Sequence, residues 1–208
     1  MTERDRNWKY VDDSQIESDA LQRARTHSLE LGIQPVSPAV AAQLSVLAAA
    51  SRARNLIEIG TGAGVSGLAM LAAASDSHLT TIDLEPEHQA MARSVFTEAG
   101  VAGSRVRFIN GRASEVLPRM NEGAYELVFI DADAHGILEY VEHGLRLAAP
   151  GGVVALARAL HGVADPTVRD EAATSLRALI TELSASTAVV SALSPAGDGL
   201  LQIVKLGA

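Results

Sequence analysis

The chain has 208 residues, enough for one domain and cramped for two. Lys and Arg number 17 against 25 Asp and Glu, a formal charge of −8, whereas a nucleic-acid binder needs a positive field over the phosphates. There is no cysteine, so disulfides, zinc-thiolate sites and thiol nucleophiles are excluded. Residues 1–13 are charged and polar and read as a loose start without the apolar stretch of a signal peptide. Residues 14–31 read as a helix: Ser14 can cap it, Glu17 stands three residues later as in a capping box, and Gly32 ends it. Gln34-Pro35-Val36-Ser37-Pro38 is extended, because a residue before proline is pushed out of the α region. A second helix follows to about residue 50. Residues 1–50 are therefore expected to form a helical extension packed on a main domain at 51–208.

From residue 51 the pattern alternates. Aliphatic and β-branched runs at 56–59, 79–84, 106–109, 127–130 and 153–156 are each followed by a helix-like stretch, at 65–74, 87–99, 114–120, 137–147 and 166–183. Continuous apolar strands between amphipathic helices mark a parallel sheet buried on both faces. Two last strands, 188–193 and 200–206, have no room between them for a crossover helix and should form an antiparallel hairpin. The fold class expected is α/β: a Rossmann-like, mostly parallel seven-stranded sheet with a C-terminal antiparallel hairpin and helices on both faces. No apolar run reaches the roughly 20 residues of a membrane span, so a soluble, cytoplasmic protein is expected.

The central motif is Ile57-Glu58-Ile59-Gly60-Thr61-Gly62-Ala63-Gly64-Val65-Ser66: a strand running into alternate glycines at the start of a helix. Glycines let the chain turn tightly and let a ligand approach the backbone, and the helix start offers free N–H groups. Such a loop alone does not separate a dinucleotide from S-adenosylmethionine. Val65, however, stands where a dinucleotide fingerprint needs its last Gly or Ala, and no Tyr-Lys proton relay is visible, against a nicotinamide-dependent reductase. Glu58 precedes the loop, where it can hold a cationic methionine end or order the loop around it. Asp83 ends the next strand in Thr81-Ile82-Asp83-Leu84-Glu85, where a carboxylate can accept ribose hydroxyls.

With Pro35-Val36-Ser37-Pro38, Gly111-Arg112-Ala113, Phe129-Ile130-Asp131-Ala132-Asp133, Gly151-Gly152 and Asp198-Gly199 added to these motifs, the chain resembles the small cation-dependent O-methyltransferases over about residues 30–206. That group includes the catechol and caffeoyl-CoA O-methyltransferases. The resemblance implies a class I methyltransferase fold and S-adenosylmethionine as cofactor. It places Val36, Glu58, Gly60, Thr61 and Ser66 around the methionine portion, Asp83 at the ribose, Leu84 beside the adenosine, Arg112 and Ala113 at the adenine, and Asp133 near the sulfonium. It places Asp131 and Tyr140 toward a small hydroxylated, aromatic acceptor, and it implies a homodimer.

The chain departs from the family where the family holds its divalent metal. There an Asp in the position of Asp131 and an Asp-Asn pair at the end of the fifth strand are the ligands, and a Lys three residues after the first Asp assists deprotonation. Here the pair is Ala157-Arg158 and the Lys position is Ala134. Arg has five donors and no lone pair for a cation, so no tightly bound metal is expected, although a weakly held magnesium at Asp131 stays open. Arg158 can replace the metal as a fixed charge, pairing with Asp131 or with a substrate phenolate or carboxylate. A base would come from Asp131, His135 or His161. The competing reading is a paralogue that binds the cofactor without catalysis.

Overall fold

The computed structural model describes residues 2–207; Met1 and Ala208, the outer ends of the two expected segments, lie outside the described residues, as does the side chain of Ala134. The chain opens on a helix, α1 (Glu3–Asp13), where a loose segment is expected. Its start is closed reciprocally: Asp5 N–H donates to Thr2 Oγ1 at 3.1 Å and Thr2 N–H to Asp5 Oδ2 at 2.7 Å. The helix expected over 14–31 is α2 (Asp19–Glu30), and its cap is Ser18, whose Oγ accepts from Leu21 N–H at 3.3 Å. Ser14 instead follows the last turn of α1. Glu17, which a capping box at Ser14 would need, is engaged by Arg25 at 2.6 Å. Ser37 caps α3 (Pro38–Ala50), and Asp12 Oδ1 accepts from Ala39 N–H at 2.9 Å, pinning α1 to the start of α3.

The remaining elements alternate: β1 (Asn55–Ile59), α4 (Val65–Ala73), β2 (His78–Asp83), α5 (Pro86–Glu98), β3 (Val106–Asn110), α6 (Ala113–Val116), β4 (Tyr125–Ile130), α7 (Ile137–Leu147), β5 (Ala148–Ala157), α8 (Glu171–Ala185), β6 (Val189–Ser194) and β7 (Leu200–Lys205). The stretch expected as one helix over 114–120 is split. Pro118 has no N–H to continue the α-helical ladder, and Leu117–Arg119 tightens into a 3-10 turn. α8 starts later than residue 166 because Asp170 caps it, accepting from Ala173 N–H at 2.7 Å.

The sheet order is β3-β2-β1-β4-β5-β7-β6, with β7 antiparallel to both its neighbours and the other paired strands parallel. This is the mostly parallel seven-stranded sheet with a terminal hairpin that the alternation predicts. Successive strand residues serve opposite cores. Leu56, Phe129 and Ala155 pack under the face with α3 and α4, while Ile57, Val128 and Val154 pack under the face with α7 and α8. All six are buried, and each large aliphatic side chain removed from water contributes about 1.5–3 kcal/mol. The chain leaves β1 toward β2 on one side and returns to β4 on the other. That reversal opens a crevice at the carboxyl ends of the strands.

Candidate functional site

The crevice holds a cleft of about 490 Å³, within the usual range of roughly 300–1,000 Å³ for a small-molecule site. Its floor is the loop after β1. Gly60 has φ +96°, and a Cβ there would lie 2.1 Å from the Asp131 carbonyl oxygen, so the ends of β1 and β4 meet only because the residue has no side chain. Asp83, at the end of β2, fixes the loop from the other side. Its Oδ2 accepts from Thr61 N–H at 2.8 Å and Gly62 N–H at 3.0 Å. Its Oδ1 accepts from Glu85 N–H at 2.9 Å and faces His88 Nδ1 at 3.4 Å.

Glu58 lies beneath this loop. It is wholly buried, and its two oxygens accept from the hydroxyls of Ser66 and Thr81, the latter at 2.9 Å. Thr81 in turn shares a hydrogen bond of 2.6 Å with the Thr61 hydroxyl. Burial pushes the Glu58 carboxyl up to about 8, against the two hydroxyl donors and with the charges of Asp131 and Asp83 adding to the rise. Of the two roles the sequence leaves open, the geometry matches ordering the loop. Glu58 does not line the cleft, which departs from its expected place beside the cofactor, whereas Ser66, bonded to it, does. The sequence offers no sign of this, because the residue alternates with Ile57 and Ile59 on a strand whose two faces are both covered.

The other residues expected around the cofactor, Val36, Gly60, Thr61, Asp83, Leu84, Arg112, Ala113 and Asp133, all line the cleft. Among the lining residues that the sequence does not single out are His88 and Gln34. His88 belongs to the first turn of α5, directly after the strand that ends in Asp83, and that position is the only clue to it. Gln34 lies in the extended segment between α2 and α3 that forms one wall. Arg25 holds this wall from α2, donating from Nη1 to the Val36 carbonyl at 2.5 Å while Nε and Nη2 grip Glu17.

At the opposite end stands an ion pair. Arg158 donates from Nε to Asp131 Oδ1 at 2.9 Å and from Nη2 to the Gln34 carbonyl at 2.7 Å, with Asp131 Oδ2 at 3.5 Å from the same Nη2. Arg158 is bent into the left-handed region, with φ +57°. Its side chain remains 41% exposed and that of Asp131 16%. Burial raises the Asp131 carboxyl above the ordinary aspartate value, and the guanidinium opposes that rise by its charge and its hydrogen bond. Beside this pair, Tyr140 donates its hydroxyl to Asp133 Oδ2 at 2.9 Å, and Asp133 Oδ1 accepts from Gly136 N–H at 3.2 Å. Burial and the Asp133 bond push the Tyr140 phenol up to about 12, so it stays a proton donor.

Two of the candidate bases lie outside the cleft lining. His161, expected near the reacting groups, does not line the cleft; its side chain is 71% exposed and faces Asp198 Oδ2 at 3.2 Å. A turn closed by His161 N–H donating to the Arg158 carbonyl at 3.0 Å carries it toward the β6–β7 loop. His135 is exposed as well and lies outside the lining. Asp131 is the expected base that remains in the cleft. Among the described residues, no three His, Asp or Glu converge as a metal-ligand group, and no helix is long and apolar enough to cross a membrane.

Comparison with known proteins follows the same lines. The sequence profile of the O-methyltransferase family matches residues 11–206. A Mycobacterium ulcerans protein whose name carries the same family term is 44% identical over 199 residues, which cover 94% of this chain and 89% of that protein. A Corynebacterium glutamicum protein of known crystal structure superposes with a TM-score of 0.90 at 30% identity, covering 100% of this chain and 99% of that one. An O-methyltransferase of Streptomyces achromogenes involved in tomaymycin synthesis, crystallised with SAM, superposes with a TM-score of 0.86 at 30% identity and full coverage of both chains.

Proposed function

This chain belongs to the O-methyltransferase family, and from that premise we propose that it moves the methyl group of S-adenosylmethionine to a hydroxyl of a small aromatic acceptor, at a site organised by Arg158 without a divalent metal. The cofactor, when bound, supplies an electrophilic methyl group on a sulfonium. The cleft suits it: a backbone floor free of side chains at Gly60 and Gly62, Asp83 for ribose hydroxyls, and Leu84 and Ala113 as apolar walls for the adenine. The donor set at the acceptor end does not suit the family's metal. Ala157 presents a methyl group, and Arg158 places a cation against Asp131, where a metal ion would otherwise sit.

The Arg158–Asp131 pair is the observation that carries this reading. Asp131 takes the proton from the acceptor hydroxyl, and the Arg158 guanidinium stabilises the oxygen anion left behind. Arg158 itself stays charged throughout, its pKa lying above ~12. Tyr140 and Asp133 hold the neighbouring wall, which would confine the acceptor beside the bound cofactor. Such positioning can supply about 7–11 kcal/mol of barrier lowering, whereas a metal would add several more at the oxyanion. Without that addition the site favours an acceptor whose hydroxyl is already acidic, a phenol rather than an aliphatic alcohol.

The test is calorimetric titration of S-adenosylmethionine and S-adenosylhomocysteine, followed by transfer to catechol and flavonoid acceptors with and without EDTA. Binding with EDTA-insensitive transfer is expected. EDTA-sensitive transfer would overturn the metal-free site, absence of transfer would favour the non-catalytic paralogue, and absence of binding would overturn the whole reading. The family resemblance also leads us to propose a cytoplasmic homodimer, with residues 1–50 forming one wall of the site and 51–208 the cofactor domain; light scattering tests the dimer.

A further inference from the structure

Among the described residues Glu58 is the one wholly buried acid, and none of them sets a cation against it. Its partners are hydroxyls: Ser66 from α4 and Thr81 from β2. The charges that act on it are those of Asp131, at the end of β4, and Asp83, at the end of β2, and both carry its own sign. An ionised carboxylate in such a place has given up water without gaining a counter-charge, which is costly. The protonated acid fits the empty protein better, and burial pushes its ionisation up to about 8, above neutral pH.

Ser66 connects this acid to the cleft, since its hydroxyl bonds Glu58 while the residue lines the cavity. A hydroxyl has a single proton to give. When Glu58 is ionised, Ser66 must donate inward and can only accept from the cleft. When Glu58 carries a proton and donates it to Ser66, the serine hydroxyl is free to donate outward. The charge on Glu58 therefore decides what Ser66 offers to a ligand. A ligand bearing an ammonium group and a sulfonium requires an acceptor and supplies the missing positive charge.

On the reading above that the cleft binds S-adenosylmethionine, we propose that Glu58 is a proton-coupled positioning residue: it holds its proton while the cleft is empty and releases it through Ser66 to solvent as the cationic cofactor binds. The step balances, because one proton passes to the buffer and the positive charge of the sulfonium takes its place. S-adenosylhomocysteine lacks that charge and draws the proton away less completely. The product complex thus favours re-protonation of Glu58, which loosens the product relative to the next cofactor molecule.

Titration of the wild-type protein at pH 7 in buffers of different ionisation enthalpy reads the proton directly. Release of about 0.9 proton per S-adenosylmethionine is expected, and clearly less per S-adenosylhomocysteine. The affinity for S-adenosylmethionine should rise nearly tenfold from pH 6 to pH 7 and level off above pH 8. Glu58→Gln, neutral at every pH, should bind without releasing a proton and with a flat profile. His88, 3.4 Å from Asp83, is the other lining group that titrates in this range, and His88→Gln should keep the proton release. Tight binding by the wild type with no proton release overturns the proposal, and so does release that persists in Glu58→Gln or vanishes in His88→Gln. If neither ligand binds, the cofactor reading fails and this proposal falls with it.

Discussion

Arg158 and Asp131 face each other from the ends of adjacent strands, β5 and β4, with Nε 2.9 Å from Oδ1. One guanidinium thereby neutralises the buried acid of the acceptor end and reaches across the cleft to the Gln34 carbonyl. Arg158→Ala removes both links and leaves Asp131 buried without a partner. We expect a loss of stability of about 1–2 kcal/mol, below the cost of breaking a fully buried pair because Arg158 is partly exposed. Methyl transfer should fall roughly a hundredfold or more, with S-adenosylhomocysteine affinity changed little. Urea unfolding, calorimetry and a transfer assay read the three quantities, and unaltered transfer would remove Arg158 from the mechanism.

The metal-free reading makes a reciprocal prediction. The double variant Ala157→Asp, Arg158→Asn frees Asp131 and places two oxygen-bearing side chains beside it, which suits a hard divalent cation. Transfer by this variant should need magnesium and disappear in EDTA, while the parent ignores both. A variant indifferent to magnesium would show that more than these two substitutions separates the chain from the cation-dependent group it resembles.

Gly60→Ala should unfold far more easily than the parent. The added methyl would stand 2.1 Å from the Asp131 carbonyl oxygen, at a backbone angle that side-chain-bearing residues avoid. Relieving that clash means parting the ends of β1 and β4, at a cost of about 3 kcal/mol or more. A thermal melt lowered by several degrees is the expected result, and an unshifted midpoint would contradict the close approach.

Stability itself should depend on pH through Glu58. An unfolded Glu ionises near 4.5, and the folded one near 8. Between these values the folded protein holds the extra proton, so the stability from this group is whole below pH 4.5 and is lost as pH rises through 8. The slope is at most about 1.4 kcal/mol per pH unit. Glu58→Gln should flatten it, as urea midpoints taken between pH 5 and pH 9 will show.

The strands and the glycine loop are legible in the sequence because each rests on a local rule: apolar runs buried on both faces, and glycines where no Cβ fits. The N-terminus is less so: Ser14 with Glu17 has the spacing of a capping box, yet the cap is Ser18, whose Oγ accepts from Leu21 N–H. Glu17 is held instead by Arg25, a contact the capping spacing does not announce. Thr2 and Asp5 cap α1 reciprocally within a stretch whose polar composition reads as a loose start. At the site, local pattern finds Asp83, and the family resemblance finds Asp131 and Arg158. It does not tell that His161 turns outward or that Glu58 stays beneath the loop, because both depend on how distant segments meet.

Arg25 and Arg158 hold the wall at residues 33–36 from opposite sides, and each grips a main-chain carbonyl, of Val36 and of Gln34, rather than a side chain. The wall is thus clamped like a printing frame whose type can be changed. Ile33 and Gln34 line the cleft with side chains that neither arginine grips, so substitutions at these two positions should alter the lining without disturbing what fastens it. On the proposed function, acceptor preference should be open to rewriting there letter by letter, with the sheet left untouched.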